Sequence, residues 1–240
     1  MIFEHTPTVI GHRGAGKGRT ENTLPAILAA IAAGLSWVEI DVTRTADDGL
    51  VLRHDPTTAD GAFLVDVPAA GSGLLRLEEL FAELPPEVAV DVDVKTVLED
   101  AVDAPSRRTG ALLLPLLRRE ARRRPLLVTS FDPSLLLHLR DELPEVPLGL
   151  LTWLRFPLWH AVPAAAGLGL QAVAVHTGSC GLDHPDTRLR PLEQCVDMTH
   201  KAGLEFVAWC PSAERAPDYA AAGVDAMVVD DVPGVVAALA

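Results

Sequence analysis

Short runs of β-branched and other apolar residues alternate along the chain with longer segments rich in Ala and Leu. Short apolar runs predict strands, whereas apolar residues spaced three and four apart predict helices. The predicted strands are Thr8–Gly11, Trp37–Val42, Leu50–Arg53, Val88–Val94, Leu126–Thr129, Pro147–Leu151, Gln171–Val175, Glu205–Trp209 and Ala226–Val229. The predicted helices are Thr23–Ala33, Leu77–Leu84, Gly110–Arg123, Pro133–Leu143, Pro157–Ala166, Pro191–Ala202, Ala213–Ala222 and Pro233–Leu239. Predicted strands and helices therefore alternate along most of the chain.

This repeating order predicts a parallel sheet, because parallel strands need a crossover connection between them. About eight such units in this length favour a closed (β/α)8 barrel, the TIM-barrel fold. We expect one domain over residues 1–240, since no linker or shift in composition marks a second one. An open doubly wound sheet is the alternative. Its phosphate-binding fingerprint is incomplete in the Gly-rich run at residues 14–18.

Composition narrows the class of protein. The chain has 49% hydrophobic residues and a formal net charge of −13. The apolar content supports a packed core, and the acidic surplus argues against a nucleic-acid-binding protein. The first residues lack a basic stretch followed by an apolar run, and the longest apolar stretch, residues 161–175, is interrupted by Pro163 and Gly167. We therefore expect a cytoplasmic protein without stable membrane insertion; the pattern does not indicate its oligomeric state.

Two charged residues, His12 and Arg13, stand at the end of the first predicted strand, between Gly11 and Gly14. The carboxyl ends of barrel strands form the active-site face. A lone His or Arg there is usually structural or solvated. A His-Arg pair directly at a strand end favours a functional role over a structural one.

Carboxylates alternate with apolar residues in two further strands. Because side chains alternate in a strand, Glu39 and Asp41 share one face of the first, and Asp91, Asp93 and Lys95 share one face of the second. Crowded carboxylates resist ionisation unless a positive group lies between them. A divalent cation resolves this conflict, and buried salt bridges to Arg or Lys are the alternative. We expect Asp93 to be a third metal ligand, Lys95 to meet an anionic substrate oxygen, and Asp91 to lie deeper.

A second histidine, His54, ends another extended apolar run. The chain thus offers two histidines, an acidic cluster, an arginine and a lysine for one site. The cations suit a phosphate, and a divalent ion can neutralise charge on phosphoryl oxygens. Histidines can serve as base and acid near neutral pH. This set favours a phosphate-containing substrate over a carbonyl compound.

These motifs together resemble the glycerophosphodiester phosphodiesterase family. The resemblance rests on His12-Arg13-Gly14, Glu21-Asn22-Thr23, Glu39-Ile40-Asp41-Val42, Asp48-Gly49, His54-Asp55 and Asp93-Val94-Lys95, with later echoes at Ser130-Phe131, Trp209, Gly223-Val224-Asp225 and Val229-Asp230-Asp231-Val232-Pro233. It implies a TIM barrel that hydrolyses small-molecule glycerophosphodiesters to sn-glycerol 3-phosphate and an alcohol with one divalent cation, Ca²⁺ or Mg²⁺. The implied roles are metal binding by Glu39, Asp41 and Asp93, acid/base catalysis by His12 and His54, and phosphate binding by Arg13 and Lys95.

The chain departs from the family pattern at four places. Thr20 stands where the family usually has the proline before Glu-Asn-Thr, and the segment after His54-Asp55 lacks the usual Arg-Thr-Thr pattern. The family usually has Glu where this chain has Asp93, and usually has Thr-Val-Asn where Cys210-Pro211-Ser212 follow Trp209. Trp209 ends a predicted strand at the active-site face, where it could pack against glycerol or serve as a core aromatic. We therefore expect the metal position and the substrate contacts near Trp209 to differ from those of the family.

Two other functions compete with this one. A phospholipase D-like enzyme of the same fold, acting on lysophospholipids or sphingolipids, would need an apolar channel for an acyl chain. A catalytically silent barrel would bind a phosphorylated ligand without turnover. The aromatic residues Trp153, Phe156 and Trp159 either meet a lipid tail or a partner, or cover the barrel rim. The arginine-rich segment 118–124 is expected to be a solvated helix end.

Overall fold

The computed structural model describes residues 1–16, 20–182 and 189–240. Within these residues nine strands form one sheet. The strands are β1 (Thr8–Gly11), β2 (Trp37–Arg44), β3 (Leu50–Leu52), β4 (Ala89–Val94), β5 (Leu126–Ser130), β6 (Leu148–Leu151), β7 (Ala172–His176), β8 (Glu205–Trp209) and β9 (Ala226–Val229). The α-helices are α1 (Leu24–Ala32), α2 (Ala69–Ser72), α3 (Leu77–Glu83), α4 (Thr109–Glu120), α5 (Pro133–Glu142), α6 (Leu158–Gly167), α7 (Leu192–Lys201), α8 (Ala216–Ala221) and α9 (Val232–Leu239).

Eight of these strands close into a parallel barrel. β1 pairs in parallel with both β2 and β9, which joins the two ends of the sheet. β3 lies outside this ring as an antiparallel partner of β2, paired from Val42–Leu52 to Arg44–Leu50. The predicted (β/α)8 TIM barrel is confirmed, and the open doubly wound sheet is wrong. The observed strands lie within two residues of the predicted bounds.

The alternation of side chains in β2 and β4 separates the core into two layers. Val38, Ile40 and Val42 are buried in the outer layer between strands and helices. The intervening Glu39 and Asp41 are buried on the barrel side of the same strand. A smaller apolar cluster, which includes Phe3, Ile10, Trp37, Leu127 and Val207, is separate from the outer layer. The valines thus hold the helices against the sheet and leave the opposite face of β2 and β4 free for charged groups.

The expectation of a solvated arginine-rich helix end is wrong for Arg124. Its guanidinium is buried and pairs with the buried carboxylate of Glu120 at 3.0 Å. It also donates hydrogen bonds to the carbonyl oxygens of Leu84, Pro85 and Val88. These carbonyls lie between α3 and β4, so the arginine ties the end of α4 to a connection about forty residues away. A guanidinium with its five donors can satisfy this many acceptors at once.

None of the helices in the described ranges is long and apolar enough to span a lipid bilayer.

Candidate active site

The turn after β1 carries the His-Arg pair. The backbone of Arg13 has a φ of 53°, and Gly14 follows with a φ of 95°. A Cβ at Gly14 would lie 2.6 Å from the carbonyl carbon of Ala26, so only glycine fits between this turn and α1. The backbone N–H of Arg13 donates to Glu39 Oε2 at 2.8 Å. The turn is thereby fixed against β2, and its two side chains stand at the carboxyl end of the barrel.

Parallel pairing of β2 and β4 brings the acidic residues together. Glu39 is the register partner of Asp91, and Asp41 is the register partner of Asp93. All four carboxylates are buried. One oxygen atom from each of Glu39, Asp41 and Asp93 lies within 4.8 Å of the others. Asp91 accepts a hydrogen bond from Thr129 Oγ1 at 3.0 Å and lies one pleat deeper, as expected.

Two cations already touch this cluster. Lys95 Nζ lies 2.9 Å from Asp41 Oδ1 and also contacts Asp93 Oδ2. Arg13 Nε lies 3.0 Å from Asp41 Oδ2. Burial by itself would raise the pKa of Asp41, but Lys95 and Arg13 outweigh burial and lower it. Burial likewise would lower the pKa of Lys95, and Asp93 and Asp41 raise it instead. Part of the salt-bridge alternative is therefore realised at Asp41.

Lys95 pairs with Asp93 as well as with Asp41, and within the described residues neither Lys95 nor Arg13 forms an ion pair with Glu39 or Asp91. Burial, followed by repulsion from Asp41, raises the pKa of Glu39 well above its ordinary value. Burial raises the pKa of Asp93 to about 6 even though Lys95 opposes this shift, and burial raises that of Asp91 to about 8. Asp93 Oδ1 is buried and has no hydrogen-bond partner among the described residues. Four carboxylates facing two cations, with an unpartnered oxygen, form a donor set that could hold a hard divalent metal ion.

His12 lies beside this cluster, and residues that directly follow β8 and β9 contact its ring. Its Nδ1 is 2.5 Å from Asp230 Oδ1 at the end of β9, and Cys210 Sγ lies 3.9 Å from the same nitrogen. Its Nε2 is 3.9 Å from Glu39 Oε2. Burial by itself would lower the pKa of His12, but the hydrogen bonds to Asp230 and Cys210 outweigh burial and raise it to about 9. Sequence reasoning placed Asp230 in a motif and gave it no role.

His54 follows β3 and reaches the same cavity as His12. Its Nδ1 is 2.8 Å from Asp55 Oδ1, and its side chain is 40% exposed, compared with 13% for His12. Each histidine therefore has a carboxylate at Nδ1, which leaves Nε2 as the nitrogen available for proton exchange. The structure brings the two predicted histidines to one cavity from separate elements.

All of the predicted site residues meet around one cavity of about 370 Å³ at the carboxyl end of the barrel. Seven of the eight are His12, Arg13, Glu39, His54, Asp93, Lys95 and Trp209, which line it directly. The eighth, Asp41, is buried behind Arg13 and Lys95. The Trp209 ring lies 4.3 Å from the His176 ring, and its Nε1 has no hydrogen-bond partner among the described residues. Trp209 thus lines the cavity and also packs against the smaller apolar cluster.

The segment Glu21-Asn22-Thr23 holds the site together, beyond the helix-anchoring role that sequence suggests. Asn22 Nδ2 donates to Asp41 Oδ2 at 2.8 Å, and the Asp41 backbone N–H donates to Asn22 Oδ1 at 3.1 Å. Glu21 Oε2 accepts a hydrogen bond from Arg13 at 2.8 Å. Thr23 caps α1 through Ala26 N–H. Asn22 has a positive φ of 56°, a conformation that asparagine tolerates.

Comparison with known proteins agrees with this arrangement. The model of the glycerophosphoryl diester phosphodiesterase family matches residues 12–66 and 59–233. The chain belongs to this family. The match begins at His12 and includes every residue of the candidate site described above.

Curated relatives of the family differ widely in length. A glycerophosphodiester phosphodiesterase of Caldanaerobacter subterraneus is 24% identical over 249 aligned positions, which cover 93% of each chain. A glycerophosphocholine phosphodiesterase of Candida albicans is 42% identical over 79 residues, which cover 30% of this chain. The match spans 6% of the length of that fungal protein.

A solved structure shows the same fold. A phosphodiesterase of Oleispira antarctica in complex with the product sn-glycerol-3-phosphate is 23% identical, with a TM-score of 0.79. The alignment covers 97% of this chain and 96% of that one.

Proposed function

We propose that this family member hydrolyses glycerophosphodiesters to sn-glycerol 3-phosphate and an alcohol in a metal-dependent reaction. The observation that carries this proposal is the meeting of His12, His54, Arg13 and Lys95 with a buried carboxylate cluster at one cavity. The product bound to the Oleispira antarctica relative has the chemistry that such a cavity suits.

Glu39, Asp41 and Asp93 are the residues that would hold one divalent cation, Ca²⁺ or Mg²⁺. The raised pKa values of Glu39 and Asp93, which follow first from burial, support this assignment. When bound, the ion supplies positive charge that neutralises the non-bridging phosphate oxygens. Oxygen ligands in this number suit either ion, so addition of each ion to the EDTA-treated protein distinguishes between them.

Arg13 and Lys95 are the groups that would bind the phosphate. Lys95 lines the cavity with its ammonium 5.3 Å from the centre of the Phe131 ring, and Arg13 is held in place by Glu21 and Asp41. Both cations are part-buried, so their attraction to a phosphate is less screened than on an open surface. Trp209 forms the wall against which the glycerol carbons would pack.

His12 and His54 would exchange protons with the substrate through Nε2. One of them removes a proton from the nucleophile, which is water or the glycerol 2-hydroxyl, and the other protonates the leaving alkoxide. Asp230 and Asp55 hold the opposite nitrogens and orient the two rings. The two cations would thus bind the phosphate oxygens while the two histidines move the protons.

The test is release of sn-glycerol 3-phosphate from glycerophosphocholine and glycerophosphoethanolamine, before EDTA, in EDTA, and after addition of Ca²⁺, Mg²⁺ or Mn²⁺. We expect activity that EDTA removes and one metal restores. His12→Ala and His54→Ala should each lower kcat by roughly 10²-fold or more. His138→Ala, on the exposed face of α5, is the matched control and should retain activity. No release with any metal from folded protein, or full activity in both histidine variants, would overturn the proposal.

A further inference from the structure

The Nδ1 edge of His12 belongs to a second group of possible metal ligands, distinct from the carboxylate cluster. One atom from each of His12, Cys210 and Asp230 lies within 4.8 Å of the others. Asp230 Oδ1 is 2.5 Å and Cys210 Sγ is 3.9 Å from His12 Nδ1. The group thus directs a nitrogen, a sulfur and an oxygen atom toward one point.

Three neighbouring strands bring these residues together. β9 lies between β1 and β8 in the sheet, and His12, Cys210 and Asp230 directly follow β1, β8 and β9. The Cys210 N–H donates to the Val228 carbonyl oxygen at 2.8 Å, and the His12 N–H donates to the Val229 carbonyl oxygen at 3.0 Å. The backbones of His12 and Cys210 are therefore both fixed to β9, the strand that carries the third residue.

The donor atoms of this group suit zinc. Thiolate sulfur and imidazole nitrogen are preferred zinc ligands, whereas Ca²⁺ and Mg²⁺ prefer oxygen atoms such as those of the carboxylate cluster. Zinc bonds of about 2.0 Å to nitrogen and about 2.3 Å to sulfur, at a tetrahedral angle, place these two atoms about 3.5 Å apart. His12 Nδ1 and Cys210 Sγ are 3.9 Å apart, so a small approach of the two side chains meets this requirement.

Asp230 is the ligand that has to move when an ion binds. Two ligand atoms about 2 Å from a tetrahedral zinc ion lie about 3.3 Å apart, which is farther than Asp230 Oδ1 now lies from Nδ1. The side chain of Asp230 is 57% exposed, compared with 13% for His12, so it can shift without repacking the core. The same exposure gives an ion access to the site, and the net charge of −13 favours the approach of a cation.

We propose that His12, Cys210 and Asp230 bind a zinc ion, which inhibits the enzyme by occupying Nδ1 of His12. The inhibition rests on the proposed function, whereas the metal site does not. On binding, the ion displaces the proton of the Cys210 thiol and the proton at His12 Nδ1, and both protons pass to solvent. Nε2 then keeps its proton and has no free lone pair, so it cannot accept a proton from the nucleophile. It is also a poor donor to the leaving group, because loss of this proton would leave an imidazolate.

Cys210 makes the site a property of this chain. The family pattern usually has threonine at this position, and a neutral hydroxyl is not among the usual ligands of zinc. Cys195, on α7, is buried in the outer apolar layer between strands and helices. It therefore supplies a matched control for substitution of a cysteine.

The metal site is tested by binding, with Co²⁺ as a spectroscopic substitute for zinc. A Co²⁺–thiolate bond gives a charge-transfer band in the near ultraviolet, which carboxylate ligands do not give. The protein is treated with EDTA, saturated with Ca²⁺ or Mg²⁺ to fill the carboxylate cluster, and titrated with Co²⁺. We expect the band in wild type and in Cys195→Ser, and its loss in Cys210→Ser. Calorimetric titration with Zn²⁺ should show at least about tenfold weaker binding in Cys210→Ser and in Asp230→Asn.

The inhibition is tested by hydrolysis of glycerophosphocholine with the activating metal at saturation. Each variant is compared with its own rate in the absence of zinc, so that a change in basal activity does not enter the result. Zn²⁺ should inhibit wild type and Cys195→Ser at the same concentration. The concentration for half-inhibition should be at least about tenfold higher in Cys210→Ser.

The outcomes separate this inference from the proposed function. The metal site is overturned if wild type gives no thiolate band, or if Cys210→Ser keeps the zinc affinity of wild type. A band that depends on Cys210, with full hydrolysis at saturating Zn²⁺, overturns the inhibition. Equal inhibition of wild type and Cys210→Ser, relieved by more Ca²⁺ or Mg²⁺, would assign zinc to the carboxylate cluster and contradict the inference. A band that depends on Cys210 in protein that hydrolyses no glycerophosphodiester overturns the proposed function and the inhibition, and leaves the metal site standing.

Discussion

His12 Nδ1 and Asp230 Oδ1 lie 2.5 Å apart although the two residues are separated by 218 positions in the chain. The contact exists because β1 and β9 pair in parallel and close the barrel, with Gly11 opposite Val229. The carboxylate fixes the ring and leaves Nε2 toward the cavity. The strand pairing that closes the barrel therefore also brings Asp230 to the ring of His12 and orients this candidate catalytic group.

Replacement of Asp230 by Asn should slow catalysis while the fold remains intact. The amide can donate to Nδ1 and so favours the wrong tautomer, and it no longer stabilises the protonated ring. We expect kcat for glycerophosphocholine to fall by about 10- to 100-fold with a smaller change in KM. Asp197→Asn, which removes an exposed partner of Lys201 on α7, is the control. Unchanged kcat in Asp230→Asn would show that the contact does not orient His12.

The same contact should make stability depend on pH in the metal-free protein. Burial lowers the pKa of His12, but Asp230 and Cys210 raise it from 6.5 to about 9. Because the folded value is the higher one, this stabilisation is fully present below pH 6.5 and is lost as the pH rises through about 9. Urea unfolding in EDTA should thus separate wild type from Asp230→Asn at pH 6 more than at pH 9.5. An equal difference at both pH values would contradict the assignment.

Glu39→Gln should stabilise the metal-free protein and remove its response to metal. Burial and repulsion from Asp41 raise the pKa of Glu39, so its ionised form destabilises the fold above the ordinary carboxylate range. Glutamine keeps an acceptor for the Arg13 N–H but carries no charge. We expect a higher Tm than wild type in EDTA and little or no rise in Tm on addition of Ca²⁺ or Mg²⁺.

Glu21→Gln is the matched control, since Glu21 touches Arg13 and lies outside the acidic cluster. A metal-induced rise in Tm that persists in Glu39→Gln would remove Glu39 from the set of ligands.

Asn22→Ala should weaken the metal site without touching a ligand directly. The substitution removes both hydrogen bonds to Asp41 and leaves its buried N–H without a partner. We expect a loss of about 1–3 kcal/mol in the free energy of unfolding and about 10- to 100-fold weaker metal binding, measured by calorimetric titration. Thr23→Ala removes the helix cap and the hydrogen bond from Thr23 Oγ1 to the Thr20 carbonyl oxygen, neither of which involves Asp41, so it should cost about 1 kcal/mol and leave metal affinity unchanged. Equal metal affinity in the two variants would refute a positioning role for Asn22.

The sequence predicts the parts of this site that depend on local periodicity. Alternation in β2 and β4 was enough to place Glu39, Asp41 and Asp93 on one face, because the side-chain period of a strand is set by its own backbone. Asp230 and Asn22 could not be assigned in this way, since their contacts depend on barrel closure and on a loop with positive φ. Arg124 was misjudged for a related reason: its partner carbonyls come from the segment between α3 and β4.

Arg124→Met tests that buried contact. The variant leaves the Glu120 carboxylate fully buried, with the half-exposed Arg119 and Arg123 as its ion-pair partners among the described residues, and it leaves several carbonyl oxygens unsatisfied. Loss of one partner of a buried ion pair costs about 3–5 kcal/mol, and we expect a fall of that size in the free energy of unfolding by urea. Arg122→Ala, at an exposed position of the same segment, should change it by less than about 0.5 kcal/mol. The double variant E120Q/R124M should recover part of the loss, because the uncompensated charge is gone. Near-wild-type stability of Arg124→Met would mean that the exposed arginines alone suffice to neutralise Glu120.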